Sequence, residues 1–308
     1  MNNRSITAAL LLLAGAPMAF AEPAPARIFN TNGSDGNALI TSYKDGAIEY
    51  KSSLRDNKAK SLPASKIQGI YFYEVAVFTE VIELYDSRKY AEAKVKFLEC
   101  VEAYEAMQGA PNNYSTLAGF YALECSRRMF DLEGLKEGMA LFKKEGLTRE
   151  TQIQQLELNV FWDTVRRKDW EKVIRLADKW RERQLPVSHR AQLAYCQAVA
   201  YENLAKENPA LIENALNSYN VVLSADFMAS RELVVDAASK ALAIYSNDAG
   251  VKSAMAAWGK PEENKNSNGY QFLREANALA KFYQQMGLDK VKPFAAEAKA
   301  FLEFEVKE

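Results

Sequence analysis

Two pairs of adjacent arginines are the residues whose type and spacing point most directly to a binding chemistry. Arg127-Arg128 and Arg166-Arg167 each end an apolar helical stretch and precede a short polar turn. The planar guanidinium group suits two-pronged recognition of carboxylates. If consecutive helix pairs align these turns, the four side chains form one exposed basic strip. The simpler interpretation is that the cations complement the dipoles of two helix C-termini.

Tryptophans cluster around the second arginine pair. Trp162, Trp170 and Trp180 lie within one helical hairpin, and Trp162 stands just before Arg166-Arg167. Most such residues pack between helices, while a minority line grooves for peptide or sugar. We therefore add Trp162 to the four arginines as a candidate binding residue.

Catalytic and metal-binding motifs are missing from the sequence. The single histidine, His189, stands at a predicted helix start behind Ser188, and we interpret it as an exposed or capping residue. There is no Cys-x-x-Cys pair, no Gly-rich phosphate loop and no His-Glu-x-x-His run. Carboxylates at helical spacing, such as Glu99 and Glu102, are typical of a solvated face, and nothing selects the facing pair that glycoside hydrolysis needs. We predict no catalytic residue, no metal and no cofactor.

Composition narrows the class of partner. The chain has 308 residues, with 39 Lys+Arg against 40 Asp+Glu, and this balance argues against a nucleic-acid binder.

Cys100, Cys125 and Cys196 all lie in apolar helical stretches. They are expected to be buried thiols; the alternative is a Cys100–Cys125 disulfide between neighbouring helices.

The first 21 residues read as an export leader. A basic start at Arg4 precedes an apolar run from Ile6 to Phe20, which closes with a small residue on either side of Phe20. A retained anchor is the alternative, but the run is short for a bilayer. We expect removal of 1–21, a periplasmic protein (alternatively a secreted one), and no membrane span afterwards.

The remaining chain divides by its periodicity. Residues 22–26 predict a short extended tether. Over 27–73, turn signals such as Asp45-Gly46 separate short apolar runs, which predicts four or five strands in a small β-barrel or curled sheet. From 74 to 305 the period is 3.6 residues, with breaks every 15 to 20 residues that give about six antiparallel helix pairs. The fold class is thus mostly α, an α-solenoid behind a small β module.

The first helix pair resembles tetratricopeptide repeats. Tyr90, Ala93 and Phe97 stand where that family places an interhelix aromatic, a close-packing small residue and a second aromatic, while Val81 replaces its first small residue. The layout also resembles exported bacterial repeat proteins with a small N-terminal β module. The resemblance implies a helical surface that binds a partner.

From the resemblance and the missing motifs we expect a non-enzymatic interaction protein of the cell envelope that binds a peptide or protein through its helical surface. The β module adds a contact site or caps the helical repeats. The alternative function is a glycan-binding module or a carboxylate-dependent glycan-active enzyme. The sequence leaves the oligomeric state open.

Overall fold

The computed structural model describes residues 23–224 and 231–304, so the predicted leader over 1–21 lies outside the described residues. The described chain begins with five strands, listed here in order: β1 Ala24–Asn30, β2 Asp35–Lys44, β3 Ala47–Lys51, β4 Lys60–Pro63 and β5 Ile67–Phe72. They form one antiparallel sheet with the order β4-β3-β2-β1-β5, and this sheet is not closed. Of the two predicted forms, the curled sheet is therefore correct.

The β2–β3 hairpin follows directly from its two turn residues. Asp45 and Gly46 both adopt left-handed φ angles, 50° and 73°, as the tightest hairpin turns require. Period-2 alternation then places Ile40 and Ile48 on the buried face, where both are fully enclosed. The sheet thus presents one face to a core and the other to solvent.

The predicted tether over 22–26 overlaps β1. Ala24 and Ala26 are buried and pair with β2 through Ile40 and Ala38. The alternation of buried and less buried residues continues from Ala24 through to Ile28, which is the pattern of a strand. Two of its three buried positions hold alanine. Because alanine carries little apolar surface, this pattern gives a weak strand signal in the sequence.

Twelve α-helices follow within the described residues, as six consecutive pairs, so the predicted mostly-α fold class is confirmed. Their bounds are α1 Ala76–Asp86, α2 Tyr90–Ala103, α3 Tyr114–Arg128, α4 Leu132–Leu141, α5 Glu150–Arg166, α6 Trp170–Trp180, α7 Val187–Leu204, α8 Ile212–Leu223, α9 Arg231–Asn247, α10 Ala249–Ala257, α11 Asn268–Gln285 and α12 Ala296–Lys299. None of the described helices has both the length and the apolar character that crossing a membrane requires.

The chain forms two compact units. The first holds the sheet, α1, α2 and the chain up to Ala122, together with Phe142–Leu147. Its core is aromatic: the rings of Phe97 and Tyr121 stack with centroids 5.2 Å apart. The hydroxyl of Tyr114 donates a hydrogen bond to the backbone carbonyl of Tyr73, which links the helices to the end of the sheet.

The second unit contains Leu123–Leu141 and the described chain from Thr148 onward. Four of its helices, α5, α7, α9 and α11, have 17 or 18 residues, whereas α6, α8 and α10 have 9 to 12. The long helices are buried on several sides and carry polar residues inward, such as Gln155, Gln192 and Asn277. Each of these buried polar groups therefore needs an internal partner.

All three cysteines are buried thiols, and no disulfide joins them in the described residues, so the alternative Cys100–Cys125 bridge is wrong. Burial raises the pKa of the Cys100 thiol, and it raises the pKa of Cys196 further. A thiol with a raised pKa is a poor nucleophile at neutral pH.

Three helix pairs share one turn geometry. Arg88, Phe130 and Lys168 adopt left-handed φ angles of 63°, 57° and 59°. In each turn the following amide donates to the carbonyl five residues earlier, as in Asp169 to Thr164 at 3.2 Å. This is the hydrogen bond that closes a Schellman-type helix end, where glycine is usual. The three turns therefore hold non-glycine residues in a strained backbone conformation.

Substitutions at Lys168 test this strain. Lys168 is exposed, so its side chain contributes little packing. Lys168→Gly removes the left-handed strain and is expected to raise the free energy of unfolding by about 0.5–1 kcal/mol. Lys168→Val, at the same position, adds a branched side chain to a left-handed residue and should lower it. Urea denaturation of both variants measures the difference; equal stability of the two would contradict the assigned turn.

Candidate functional site

Arg127 is buried inside the second unit and is not part of an exposed strip. Arg127 as a whole is 5% exposed to solvent. Its Nε and Nη2 atoms donate to both carboxylate oxygens of Glu124, at 2.8 Å and 2.6 Å. Burial alone would raise the pKa of Glu124, but the charge and hydrogen bonds of Arg127 outweigh burial and hold that pKa below its usual value. The expectation that the Arg127 guanidinium is exposed is therefore wrong.

The other three arginines also pair with carboxylates. Nη1 of Arg128 donates to Glu232 on α9 at 3.2 Å. Arg166 bonds Glu133 on α4 at 3.0 Å and also Asp163. Arg167, which is the most exposed of the four, pairs with Asp163 at 3.0 Å. The pairing leaves the four cations as helix-end charges held by intramolecular partners, and we assign them no ligand.

Trp162 lies in the core. It is 1% exposed, stacks on Tyr195 with centroids 5.6 Å apart, and donates from its indole nitrogen to Oε1 of Gln192 at 3.0 Å. Gln192 and Gln155 also exchange two hydrogen bonds, at 2.9 Å and 2.7 Å. Trp162 thus belongs to a polar layer between α5 and α7 rather than to a solvent-facing groove.

His189 lies in the interior, although the sequence predicted an exposed or capping residue. The helix begins after Pro186, Ser188 makes no capping bond, and His189 is 6% exposed. Its Nδ1 atom is buried with no hydrogen-bond partner in the described residues. Burial lowers the pKa of His189, with the charge of Glu124 acting in the opposite direction. The residue is therefore held as neutral imidazole.

Two neighbouring surface grooves that share the lining residue Phe272 offer the candidate binding site. The first groove, of about 340 Å³, lies between the ends of α7 and α9, the start of α8, and Phe272 of α11. The second, of about 230 Å³, lies between α8 and α11 and is also lined by Phe272. Phe272 is half-buried and forms a wall of both. The helices α7, α8, α9 and α11 therefore contribute to two grooves that share Phe272.

The first groove is lined mainly by apolar residues and the second mainly by polar residues, and both include carboxylates. Their apolar residues include Ile212, Ile244 and Phe272, and their charged residues are four carboxylates without any lysine or arginine: Glu202, Asp248, Glu213 and Glu275. Sequence reasoning missed these residues because they come from separate helices spread over residues 202–275, and each acid alone resembles any other acid on a helix surface.

Buried tyrosines hold two of these carboxylates. The hydroxyl of Tyr219 donates to Glu202 at 2.5 Å, and the hydroxyl of Tyr245 donates to Glu275 at 2.7 Å. Burial raises the pKa of both tyrosines, and the adjacent carboxylates raise it further. The phenols therefore stay protonated and orient the two carboxylates. Among the described residues, no three His, Cys, Asp or Glu side chains lie together as a metal site would require.

No protein family, no curated protein and no solved structure matches the chain. The resemblance to tetratricopeptide repeats therefore stays a prediction. The residues that carry it, Tyr90, Ala93 and Phe97, are buried in the core of the first unit, and Val81 is buried as well.

Arg127 and Arg167 provide a matched test of the structural assignment. Arg127→Met strips the partner from a buried carboxylate and is expected to lower the free energy of unfolding by about 3 kcal/mol. Arg167→Met removes a half-exposed ion pair and should cost less than about 1 kcal/mol. Urea denaturation at neutral pH measures both. Equal losses would show that Arg127 is not buried in the way described.

Because the chain has one histidine, the pH dependence of its stability near neutral pH can be assigned to His189. A lowered folded-state pKa means that the contribution of His189 is complete above its unfolded pKa and is lost as pH falls toward the folded value. Between pH 7.5 and 5.5 the parent should lose up to about 1.4 kcal/mol that His189→Gln does not lose. Urea titrations at the two pH values test this; parallel losses in parent and variant would contradict it.

Proposed function

We propose that this chain is an exported, non-enzymatic interaction protein that binds a peptide or protein partner of the cell envelope in the groove between α7 and α11. The observation that carries the proposal is the lining of the two neighbouring grooves there, which together hold an apolar wall, four carboxylates and no lysine or arginine. A periplasmic location goes with the proposal and rests on the predicted leader.

The apolar walls supply the affinity in this proposal. Ile212, Ile244 and Phe272 offer aliphatic and aromatic surface, and covering such surface is worth about 25 cal/mol per Å². The two spaces are small and open, so they suit single side chains of an extended segment rather than a large enclosed ligand. A peptide with one or two large apolar residues matches them.

The carboxylates supply the selectivity. Glu213 is exposed at the edge of the second groove, and Glu275 stands on the facing helix. Carboxylates along a groove favour lysine and arginine side chains and repel acidic ones. The ligand in this proposal is therefore a basic, apolar segment, the reverse of the acidic ligand that an exposed arginine strip would select.

The alternative of a glycan-binding module or carboxylate-dependent glycan-active enzyme has weaker support. A sugar site is expected to present an aromatic platform beside its carboxylates. Neither described groove is lined by tryptophan. Trp162, the candidate for such a platform, is enclosed in the core.

Two synthetic peptides test the proposal. One alternates leucine or phenylalanine with lysine, and its twin carries glutamate at every lysine. The lysine peptide should bind at least about tenfold more tightly in low salt, and this difference should shrink as salt screens the charges. Fluorescence anisotropy with labelled peptides measures both affinities.

Matched variants locate the binding site. Glu213→Lys should weaken the lysine peptide by about tenfold, because it reverses an edge charge. Glu182→Lys changes an equally exposed acid outside the grooves and should leave binding unchanged. Equal effects of the two reversals, or equal affinity for the twin peptides, would reject the groove as the site. Retention of neutral oligosaccharides on a glycan array without peptide binding would favour the alternative.

A further inference from the structure

The loop that joins β3 to β4 is strongly basic, although the chain as a whole has a net charge of only −1. Over residues 51–60 one acid, Asp56, stands among four cations: Lys51, Arg55, Lys58 and Lys60. None of these four cations forms an ion pair within the part of the chain that the structure describes. Arg55, Lys58 and Lys60 are also exposed. The loop therefore presents a local excess of positive charge to its surroundings.

A large apolar side chain stands among these charges. Leu54 is 76% exposed. An exposed leucine is not unusual by itself, since much of any protein surface is apolar. Leu141 at the end of α4 is 82% exposed, but the acids and lysines around it in the sequence have mixed signs: Glu137, Lys143, Lys144 and Glu145. What distinguishes the β3–β4 loop is an exposed leucine surrounded in the sequence by an excess of cations.

The single acid of the loop is occupied by the loop itself. Asp56 accepts hydrogen bonds from the amides of Ser52 and Ser53, at 2.8 Å and 3.2 Å, and from the hydroxyl of Ser53 at 3.1 Å. These bonds, that of the Ser52 amide first, hold the pKa of Asp56 below its usual value. The amine of Lys60 donates to the hydroxyl of Ser52 at 2.8 Å. The loop thus has a defined shape without a ligand, which lowers the entropic cost of binding one.

This combination fits the surface of a bilayer that contains anionic lipid. Each lysine or arginine near such a surface strengthens binding about fivefold. An apolar side chain gains by entering the boundary between the headgroups and the acyl chains. Arginine and lysine carry their charge at the end of an apolar stem, so they can flank Leu54 at that depth. The phosphate backbone of a nucleic acid would contact the cations but would leave Leu54 in water.

We propose that the β3–β4 loop, residues 51–60, docks this chain on an anionic lipid surface. Leu54 enters the acyl boundary, and the cations of the loop contact the phosphate groups of the lipid headgroups. The contact involves the first unit alone and does not depend on the grooves that carry the proposed function. The failure of either proposal therefore leaves the other standing.

Vesicle flotation tests the docking. The chain without its predicted leader, residues 22–308, is mixed with vesicles of phosphatidylcholine or with vesicles of phosphatidylcholine and phosphatidylglycerol. It should bind the mixed vesicles at least about tenfold more tightly, and high salt should remove most of this difference, because the charges are exposed. Equal binding to the two kinds of vesicle, or binding to neither, would overturn the proposal.

A matched pair of charge variants locates the contact. Arg55→Glu/Lys58→Glu should weaken binding to the mixed vesicles by at least about twentyfold. Lys260→Glu/Lys265→Glu makes the same change in net charge at exposed positions of a loop in the second unit and should have little effect. Circular dichroism should stay unchanged in both variants, because all four side chains are exposed. Equal losses in the two variants would show that only net charge matters and would overturn the proposal.

A fluorescent label tests whether Leu54 enters the bilayer. The three native cysteines are buried, so a thiol-reactive dye labels the new side chain of Leu54→Cys selectively. On mixed vesicles this label should be quenched by lipids that carry bromine on their acyl chains, whereas the same label on Leu141→Cys should not. Leu54→Ser should in addition weaken vesicle binding about fivefold.

Two results of these measurements would contradict the docking of Leu54. One is a bound chain whose label at residue 54 stays unquenched while Leu54→Ser binds as the parent does. The other is retention of the parent on single-stranded DNA or heparin without binding to either vesicle, which would assign the cations to a soluble polyanion.

Discussion

The interior of the second unit depends on a buried ion pair at the end of α3. Glu124 and Arg127 lie together away from water, and a buried charge is tolerated only when its partner satisfies it. Arg128 extends the pairing to Glu232 on α9. His189 stays neutral nearby because burial disfavours its charged form. The ion pair thus holds the end of α3 in place, while burial keeps the neighbouring His189 neutral.

The charged residues of the second unit serve two different purposes. The four arginines that the sequence offers as ligand-binding residues form intramolecular ion pairs, some buried and some at the surface, with Glu124, Glu232, Glu133 and Asp163. The carboxylates that line the grooves between α7 and α11 have no lysine or arginine beside them in the lining, although Glu202 also pairs with Lys240 at 3.6 Å. Our proposed recognition of a basic, apolar segment therefore rests on the apolar residues and carboxylates that line the grooves.

Local sequence rules predicted the parts of the fold that local chemistry decides. Asp45-Gly46 predicted its hairpin, and the change of period after the sheet predicted the helix pairs. The surroundings of the candidate site residues could not be predicted from local sequence in the same way. Arg128 and Arg167 are both the second arginine of a pair before a turn, yet the Arg128 side chain is 17% exposed and that of Arg167 is 45% exposed. Arg128 pairs with Glu232, which lies far away in the chain, whereas Arg167 pairs with Asp163 on its own helix. The burial of His189 had a signal in the sequence: residues 191–201, which begin two positions after it, are rich in alanine and carry no charge, as expected of a helix enclosed on all sides.

The central claim is that recognition belongs to the acidic groove and not to the arginine turns. Backbone NMR spectra of the chain, recorded while an unlabelled lysine-rich apolar peptide is added, test this claim most directly. The account predicts that the shifted amide signals cluster on α8 and α11, around Glu213 and Phe272. Shifts that cluster instead at the turns following Arg128 and Arg167, with the groove unchanged, would contradict it.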